Sequence, residues 1–225
     1  MLRTMLDAQT QSSGVSATRV FAAILAAGAS NRFNGIKALA VLGGETLLQR
    51  QYNVLASTEL PTVAVIGAHQ EHILPHLCEL QLPFVVNPQW MQGQRSSVTC
   101  AASIAPSDCD GLLLLTVDQV CITAKDLARL VRQFNETPDC IVCAAYSDTR
   151  GVPAIFPKRY FAQLAGLEAD RGAQHLLHNE ANIRAVAMPN ASTDVNTQDA
   201  LARINDAREC DRGRDCDRET RNVRS

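Results

Sequence analysis

The chemistry of this 225-residue chain is written most densely in Leu25-Ala-Ala-Gly-Ala-Ser-Asn-Arg-Phe-Asn-Gly-Ile-Lys37. The segment follows an apolar run and opens with small residues. Such a sequence lets the chain turn sharply and brings backbone N–H groups close to a polyanion, which bulky side chains would block. A triphosphate fits against Leu25, Ala26, Ala27 and Gly28. Arg32 and Lys37 then place positive charge where negative charge accumulates as an α-phosphorus is attacked. The spacing from Gly28 to Lys37 excludes a Walker A loop, and no G-x-G-x-x-G is present. Read by itself, the segment is equally an ordinary strand-to-loop connection carrying surface Arg and Lys.

Two further segments carry matching chemistry. In Leu115-Thr-Val-Asp-Gln-Val120 an apolar strand ends on one carboxylate. An Asp at the carboxyl end of a buried parallel strand sits where open α/β sheets bind ligands, and its hard oxygens suit Mg²⁺, so Asp118 is the expected metal ligand; the alternative is a solvated loop Asp. In Asn87-Pro-Gln-Trp-Met-Gln-Gly-Gln-Arg-Ser-Ser-Val98, Gly93 permits close approach to a flat base. Ser96 and Ser97 begin a helix whose hydroxyls and free N–H groups can read a base edge or ribose. Ser96 as a plain helix cap and Trp90 as a core aromatic are compatible alternatives.

Other metal-like patterns are weaker. Cys140 and Cys143 form a C-x-x-C inside an apolar run, where strand alternation points them to opposite faces; core packing is the expectation. His69, His72 and His76 have helical spacing, but Pro75 interrupts that helix and no H-E-x-x-H is present.

The elements that must hold these residues follow from apolar patterning. Runs rich in β-branched residues alternate with amphipathic, helix-length segments, which predicts an α/β fold: a three-layer, mostly parallel sheet with helices on both faces and a Rossmann-like amino-terminal half. Strands are expected at Val20–Leu25, Thr62–Ile66, Phe84–Val86, Leu112–Val117, Cys140–Ala145 and Ile183–Met188, with a turn at Gly151-Val-Pro153. Thr123 and Thr197 read as helix caps. One nucleotide-handling domain is expected over 19–206, between a disordered tail at 1–18 and a disordered charged tail at 207–225. Lys and Arg number 21 against 23 Asp and Glu, a net charge of −2, so no basic field exists for nucleic acid. No apolar run approaches the roughly 20 residues of a membrane helix. The polar opening lacks the apolar stretch of a secretory signal, which predicts a cytoplasmic protein with free thiols.

Leu25-Ala-Ala-Gly28 with Ser30, Arg32, Gly35 and Lys37 resembles the L-A-A-G-x-S-x-R-(M/F)-G-x-x-K signature of nucleotidyltransferases with a glycosyltransferase-A-like fold, in particular the molybdenum cofactor cytidylyltransferase branch. The resemblance extends over about residues 19 to 206. It includes the Asn87–Val98 segment, Asp118-Gln-Val120 in place of D-Q-P, with Val117 where Gly is usual, and Asp194-Val-Asn-Thr-Gln-Asp199 in place of D-(I/V)-D-T-P-E-D. The resemblance implies Mg²⁺ on Asp118 and Asn196, the latter an amide that adds no charge where Asp is commoner. It also implies an acceptor side at Gly151, Pro153 and Asp170, although Asp170 reads equally as a helix cap, and Gln174 stands where Arg is usual. The implied reaction is transfer of CMP from CTP to a phosphorylated small molecule, molybdopterin or molybdenum cofactor, with release of pyrophosphate. Implied partners are molybdenum hydroxylase apoenzymes or their chaperone. Guanylyl transfer, sugar- or polyol-phosphate cytidylyl transfer and a non-catalytic nucleotide-binding module remain open.

Overall fold

The computed structural model describes residues 18–166 and 173–207. Asp170 and, apart from Thr18 and Ala207, both expected tails lie outside the described residues. Thr18 itself bonds through its backbone N–H and its hydroxyl to Asn135 Oδ1, and Ala207 belongs to a helix at 198–207.

Among the described residues the main sheet has seven strands in the order β5-β4-β1-β6-β8-β7-β9. They are β1 (Val20–Leu25), β4 (Thr62–Ile66), β5 (Phe84–Val86), β6 (Gly111–Thr116), β7 (Ile141–Tyr146), β8 (Thr149–Pro157) and β9 (Ile183–Ala187); β2 (Val41–Leu42) and β3 (Glu45–Thr46) form a separate small hairpin. β5, β4, β1 and β6 are parallel neighbours. β8 is antiparallel to both β6 and β7, and β9 is parallel to β7. The sheet is thus mostly parallel, as the continuous apolar runs predict for strands buried on both faces.

Strand alternation divides the core. Ala22, Ile24, Leu113 and Leu115 pack on one face against Leu47, Leu48 and Leu55 of α1 (Leu47–Ala56) and Leu127, Leu130 and Phe134 of α4 (Ala124–Glu136); α2 (Gln70–Glu79) adds Ile73 and Leu77. Ala23, Leu25, Leu112 and Leu114 face Val98 and Ala101 of α3 (Gln94–Ile104), Leu164 of α5 (Phe161–Ala165) and Leu176 and Leu177 of α6 (Ala173–Asn179). Two helical layers therefore sandwich one sheet. Thr123 caps α4 through a reciprocal capping box with Asp126, and Thr197 Oγ1 accepts from Ala200 N–H at the start of the helix at 198–207, here α7.

Two expectations are corrected. Pro75 does not interrupt its helix: α2 runs through it from Gln70 to Glu79. Gly151-Val-Pro153 is not a turn but the middle of β8. The pairing shifts there, since Cys143 faces Ala154 while the next residue, Ala144, faces Gly151. Val152 and Pro153 are extra residues in a bulge, where a residue without an N–H breaks no ladder bond.

Candidate active site

β1 and β6 lie side by side, and Leu25 pairs with Thr116 at their carboxyl ends. After β1 the chain builds outward through β4 and β5, then crosses by α3 to β6 on the other side of β1. That reversal of strand order opens a crevice at the strand ends, the usual ligand position in open α/β sheets.

Lys37 and Asp118 meet in this crevice from positions 81 residues apart. Lys37 Nζ donates to Asp118 Oδ2 and to Asn196 Oδ1, each at 3.0 Å. The ion pair is largely shielded, with side-chain exposures of 13% for Lys37 and 22% for Asp118. Val195 N–H donates to the Asp118 carbonyl at 3.0 Å, so backbone contact fixes the loop bearing Asn196 beside the end of β6. Lys37 enters from a single helical turn at Lys37–Leu39. Gln198 Nε2, at the start of α7, braces the preceding loop by donating to the Asn34 carbonyl at 3.0 Å.

Two cavities share Asp118 and Asn196. The first, about 560 Å³, is lined by the expected cradle residues Leu25, Ala26, Ala27, Gly28, Arg32 and Lys37, by Gly93 and Ser97, and by Asp118 and Asn196. A Cβ placed on Gly28 would meet nothing within 4 Å, so the glycine leaves open room at the cavity wall. Gly93 has φ +87°, a conformation that favours glycine, and from it α3 starts with Gln94 at the cavity. The free N–H groups of that first turn suit an anion.

The second cavity, about 380 Å³, shares Leu25, Arg32, Gln94, Thr116, Asp118 and Asn196 with the first and continues to Arg95, Gln119, Tyr146, Gly151, Gln174 and Asp194. Arg32 therefore stands between the two spaces instead of deep in the first. Burial raises the Asp194 carboxyl above its ordinary pKa; the Asp118 charge adds to this and Lys37 opposes it. Burial also raises the Tyr146 phenol, reinforced by Asp194, Cys143 and Asp118, so it remains an O–H donor at neutral pH.

Among the described residues two expected ones, Ser96 and Pro153, line neither cavity. Ser96 is buried and lines neither; its hydroxyl donates to the Gly93 carbonyl at 2.8 Å and accepts from Asn87 Nδ2 at 2.8 Å. It lies in the first turn of α3 and does not cap it, since the N-cap is Gly93 and no side chain caps that end. Pro153 is buried in β8 behind the wall that Gly151 and Val152 supply, and Asp170 lies outside the described residues. Trp90, for which a core position is the alternative, is partly buried against the core and also lines the first cavity.

Gln119 and Tyr146 are functional candidates that the sequence reading passed over. Gln119 is buried, and its Nε2 donates to the Val152 carbonyl at 2.7 Å and the Ala191 carbonyl at 3.0 Å. It ties the Asp118 loop to β8 and to the turn preceding Asp194. Gln51 Nε2 and Arg50 Nε of α1 hold the same loop through the carbonyls of Gln119 and Val120, each at 2.8 Å. Val117 and Val120, the two departures beside Asp118, are buried in the core; Val120 N–H donates to the Asp118 carbonyl at 2.9 Å, a bond that proline could not make. A signal for Gln119 existed: an amide beside the carboxylate inside an otherwise apolar stretch.

The donor set can serve a divalent cation. Two oxygens, from Asp118 and Asn196, already converge on one cationic atom of Lys37, and hard oxygen donors with vacancies left for phosphate and water are what Mg²⁺ or Mn²⁺ uses. Among the described residues no three His, Cys, Asp or Glu side chains cluster as an alternative metal site. Cys143 is buried, with its thiol pushed up to about 11 chiefly by desolvation. No described helix is long and apolar enough to cross a membrane.

A small-residue loop, a lysine and a carboxylate meet at the switch point of this α/β sheet. The chain belongs to the MobA-like NTP transferase domain family, which matches residues 22–185. Solved structures agree on the fold. Rv0371c from Mycobacterium tuberculosis H37Rv is 23% identical with a TM-score of 0.72, over 84% of this chain and 99% of that one; the same protein is known in complex with manganese. The 4-diphosphocytidyl-2C-methyl-D-erythritol synthase of Anaerococcus prevotii is 12% identical, with a TM-score of 0.69 over 87% and 98% of the two chains. A CMP:2-keto-3-deoxy-manno-octonic acid synthetase complexed with CTP is 11% identical, with a TM-score of 0.69 over 86% and 100%. No curated protein matches the chain.

Proposed function

We propose that this protein transfers CMP from CTP to a phosphorylated small molecule of the molybdopterin class, releasing pyrophosphate and using Mg²⁺. The observation that carries the reading is the convergence of Lys37, in the first cavity, at 3.0 Å on Asp118 and Asn196, which line both cavities. One cavity suits the nucleotide and the other the acceptor, because the reacting phosphates must meet where the spaces join. Ala27 in the cradle favours CTP, since guanylyl-transferring relatives prefer a second glycine there. Two of the similar folds carry cytidylyl names, one of them with CTP bound, and the manganese complex of Rv0371c supports a divalent ion.

In this scheme an acceptor phosphate oxygen attacks the α-phosphorus, a new P–O–P linkage forms, and the bond to the β-phosphate breaks with its electron pair leaving on pyrophosphate. Positioning and charge neutralisation supply most of the acceleration in such transfers. The cradle backbone and the first turn of α3 hold the triphosphate. Arg32, between the cavities, neutralises charge at the reacting phosphorus, and Lys37 follows the phosphates. Bound between Asp118 and Asn196, Mg²⁺ would supply Lewis-acid stabilisation of the phosphoryl oxygens. Domain limits of 19–206 and a cytoplasmic location belong to the same proposal, as do molybdenum hydroxylase apoenzymes or their chaperone as recipients.

The test is pyrophosphate release with each of the four ribonucleoside triphosphates, Mg²⁺ and molybdenum cofactor or other phosphomonoester acceptors. Release with CTP and molybdenum cofactor supports the proposal. Release with GTP alone overturns the cytidylyl assignment, and nucleotide binding without release under any pairing makes the chain a binding module.

A further inference from the structure

Tyr146 ends β7, next to a tight turn in which Ser147 and Asp148 both have positive φ, at 47° and 58°. Its side chain folds back over β8 and lies on Gly151. A Cβ at position 151 would fall 2.2 Å from the phenol oxygen and 3.0 Å from Cζ, so only glycine leaves room for the ring. The bulge between Cys143 and Ala144 sets this register. The seat is therefore built by three separate features: a bulge, a tight turn and a glycine.

Packing accounts for the ring but not for the hydroxyl. Among the described residues Tyr146 Oη makes no hydrogen bond, although the residue is half-buried and a shielded tyrosine hydroxyl ordinarily finds a partner. Tyr146 lines the second cavity together with Asp118, Arg95 and Gln174. A donor in the same cavity as the proposed metal ligands and an arginine suits an anionic oxygen brought in by a ligand.

We propose that Tyr146 donates its phenolic hydrogen bond to the phosphate of the acceptor, and that Gly151 is required because it seats the ring. This rests on the second cavity being the acceptor site of the transfer proposed above. The bond would orient the attacking oxygen toward the α-phosphorus, and the residue would discriminate for phosphorylated acceptors over their dephosphorylated forms.

Tyr146→Phe retains the ring on Gly151 and removes only the donor. With CTP and molybdenum cofactor, or whichever phosphomonoester supports release in the wild type, the expected result is an acceptor KM raised about 10-fold. The CTP dissociation constant should remain within about twofold, since Tyr146 lies outside the nucleotide cavity. An unchanged acceptor KM in an active enzyme overturns this inference and leaves the proposed reaction standing. A raised KM for Mg²⁺ with the acceptor KM unchanged also overturns it, by placing the phenol among the metal's waters. Absence of release by the wild type with every triphosphate and acceptor overturns the reaction and the inference together.

Discussion

In the amino-terminal half of the sheet, β5, β4, β1 and β6 run parallel, so their carboxyl ends lie along one edge and each loop there can contribute to a single crevice. In the carboxy-terminal half, β8 runs against both neighbours and carries a bulge, so its contribution to the site comes from mid-strand backbone and from a tyrosine across a hairpin. The first half lines one cavity with small residues and the first turn of a helix, which in the proposed reaction would hold the nucleotide. The second presents side chains such as Tyr146, Gln174 and Asp194 to the other cavity. The difference suggests a division of labour in which phosphate handling is fixed by main chain and acceptor choice is left to replaceable side chains.

If that division is correct, the largest effect should come from the residue at the junction. Asp118→Asn keeps an oxygen near Lys37 but removes the charge that pairs with it at 3.0 Å. Pyrophosphate release should fall about 10³-fold, the scale expected for losing one charge-stabilising group in a preorganised site. A fall of less than tenfold would move the centre of the chemistry elsewhere and dissolve the comparison.

Lys37 sharpens it in a different way. The Lys37 ammonium donates to both the Asp118 and Asn196 oxygens, where a divalent ion would compete with it. Lys37→Met should lower turnover about 10²-fold by removing a phosphate-stabilising charge. The same substitution should strengthen Mn²⁺ binding to the nucleotide-free protein about 10-fold, as read by electron paramagnetic resonance. Weaker Mn²⁺ binding would mean that the lysine organises those two oxygens instead of displacing a metal from them. Asn196→Asp adds a charged oxygen at the same point, and an approximately 3- to 10-fold gain in Mn²⁺ affinity is the corresponding outcome.

The two halves also differ in how much of them the sequence discloses. Strands β1, β4 and β5 have the predicted limits, and Asp118 is recognisable because a buried parallel strand must end before its chain can meet solvent. Cradle residues are contiguous from Leu25 to Gly28, so local sequence describes them. In the other half the informative relations cross strands. Gly151 and Pro153 resemble turn residues locally, and only the register with β7 shows Gly151 to be a paired strand residue that seats Tyr146 and Pro153 to lie in a bulge. Gln119 likewise has meaning through Val152 and Ala191, partners 33 and 72 residues away. Ser96 shows the converse: its position near a helix start is visible in the sequence, but its bonds to Asn87 and Gly93 are visible only in the fold.

The smallest effect concerns the joint between the halves. α4 follows the Asp118 loop, and its capping box is extended by Asn190, whose Nδ2 donates to Asp126 Oδ2 at 2.8 Å. Burial of Asp126 works against its ionisation, but the hydrogen bonds from Asn190 and Thr123 outweigh this and leave its pKa lowered. A carboxyl lowered on folding stabilises the protein above its unfolded value, about pH 4, and that contribution is lost as pH falls through the folded value. Thr123→Ala should cost about 1 kcal/mol, or about 2–4 °C in Tm for a chain of this size, without changing the CTP dissociation constant. For Asp126→Asn the Tm difference from wild type should be full at neutral pH and shrink below about pH 4. A difference that persisted unchanged into acid would show that Asp126 acts through shape and not charge. An altered CTP affinity in Thr123→Ala would show that the joint transmits strain into the parallel half, which the backbone-fixed cradle is expected to resist.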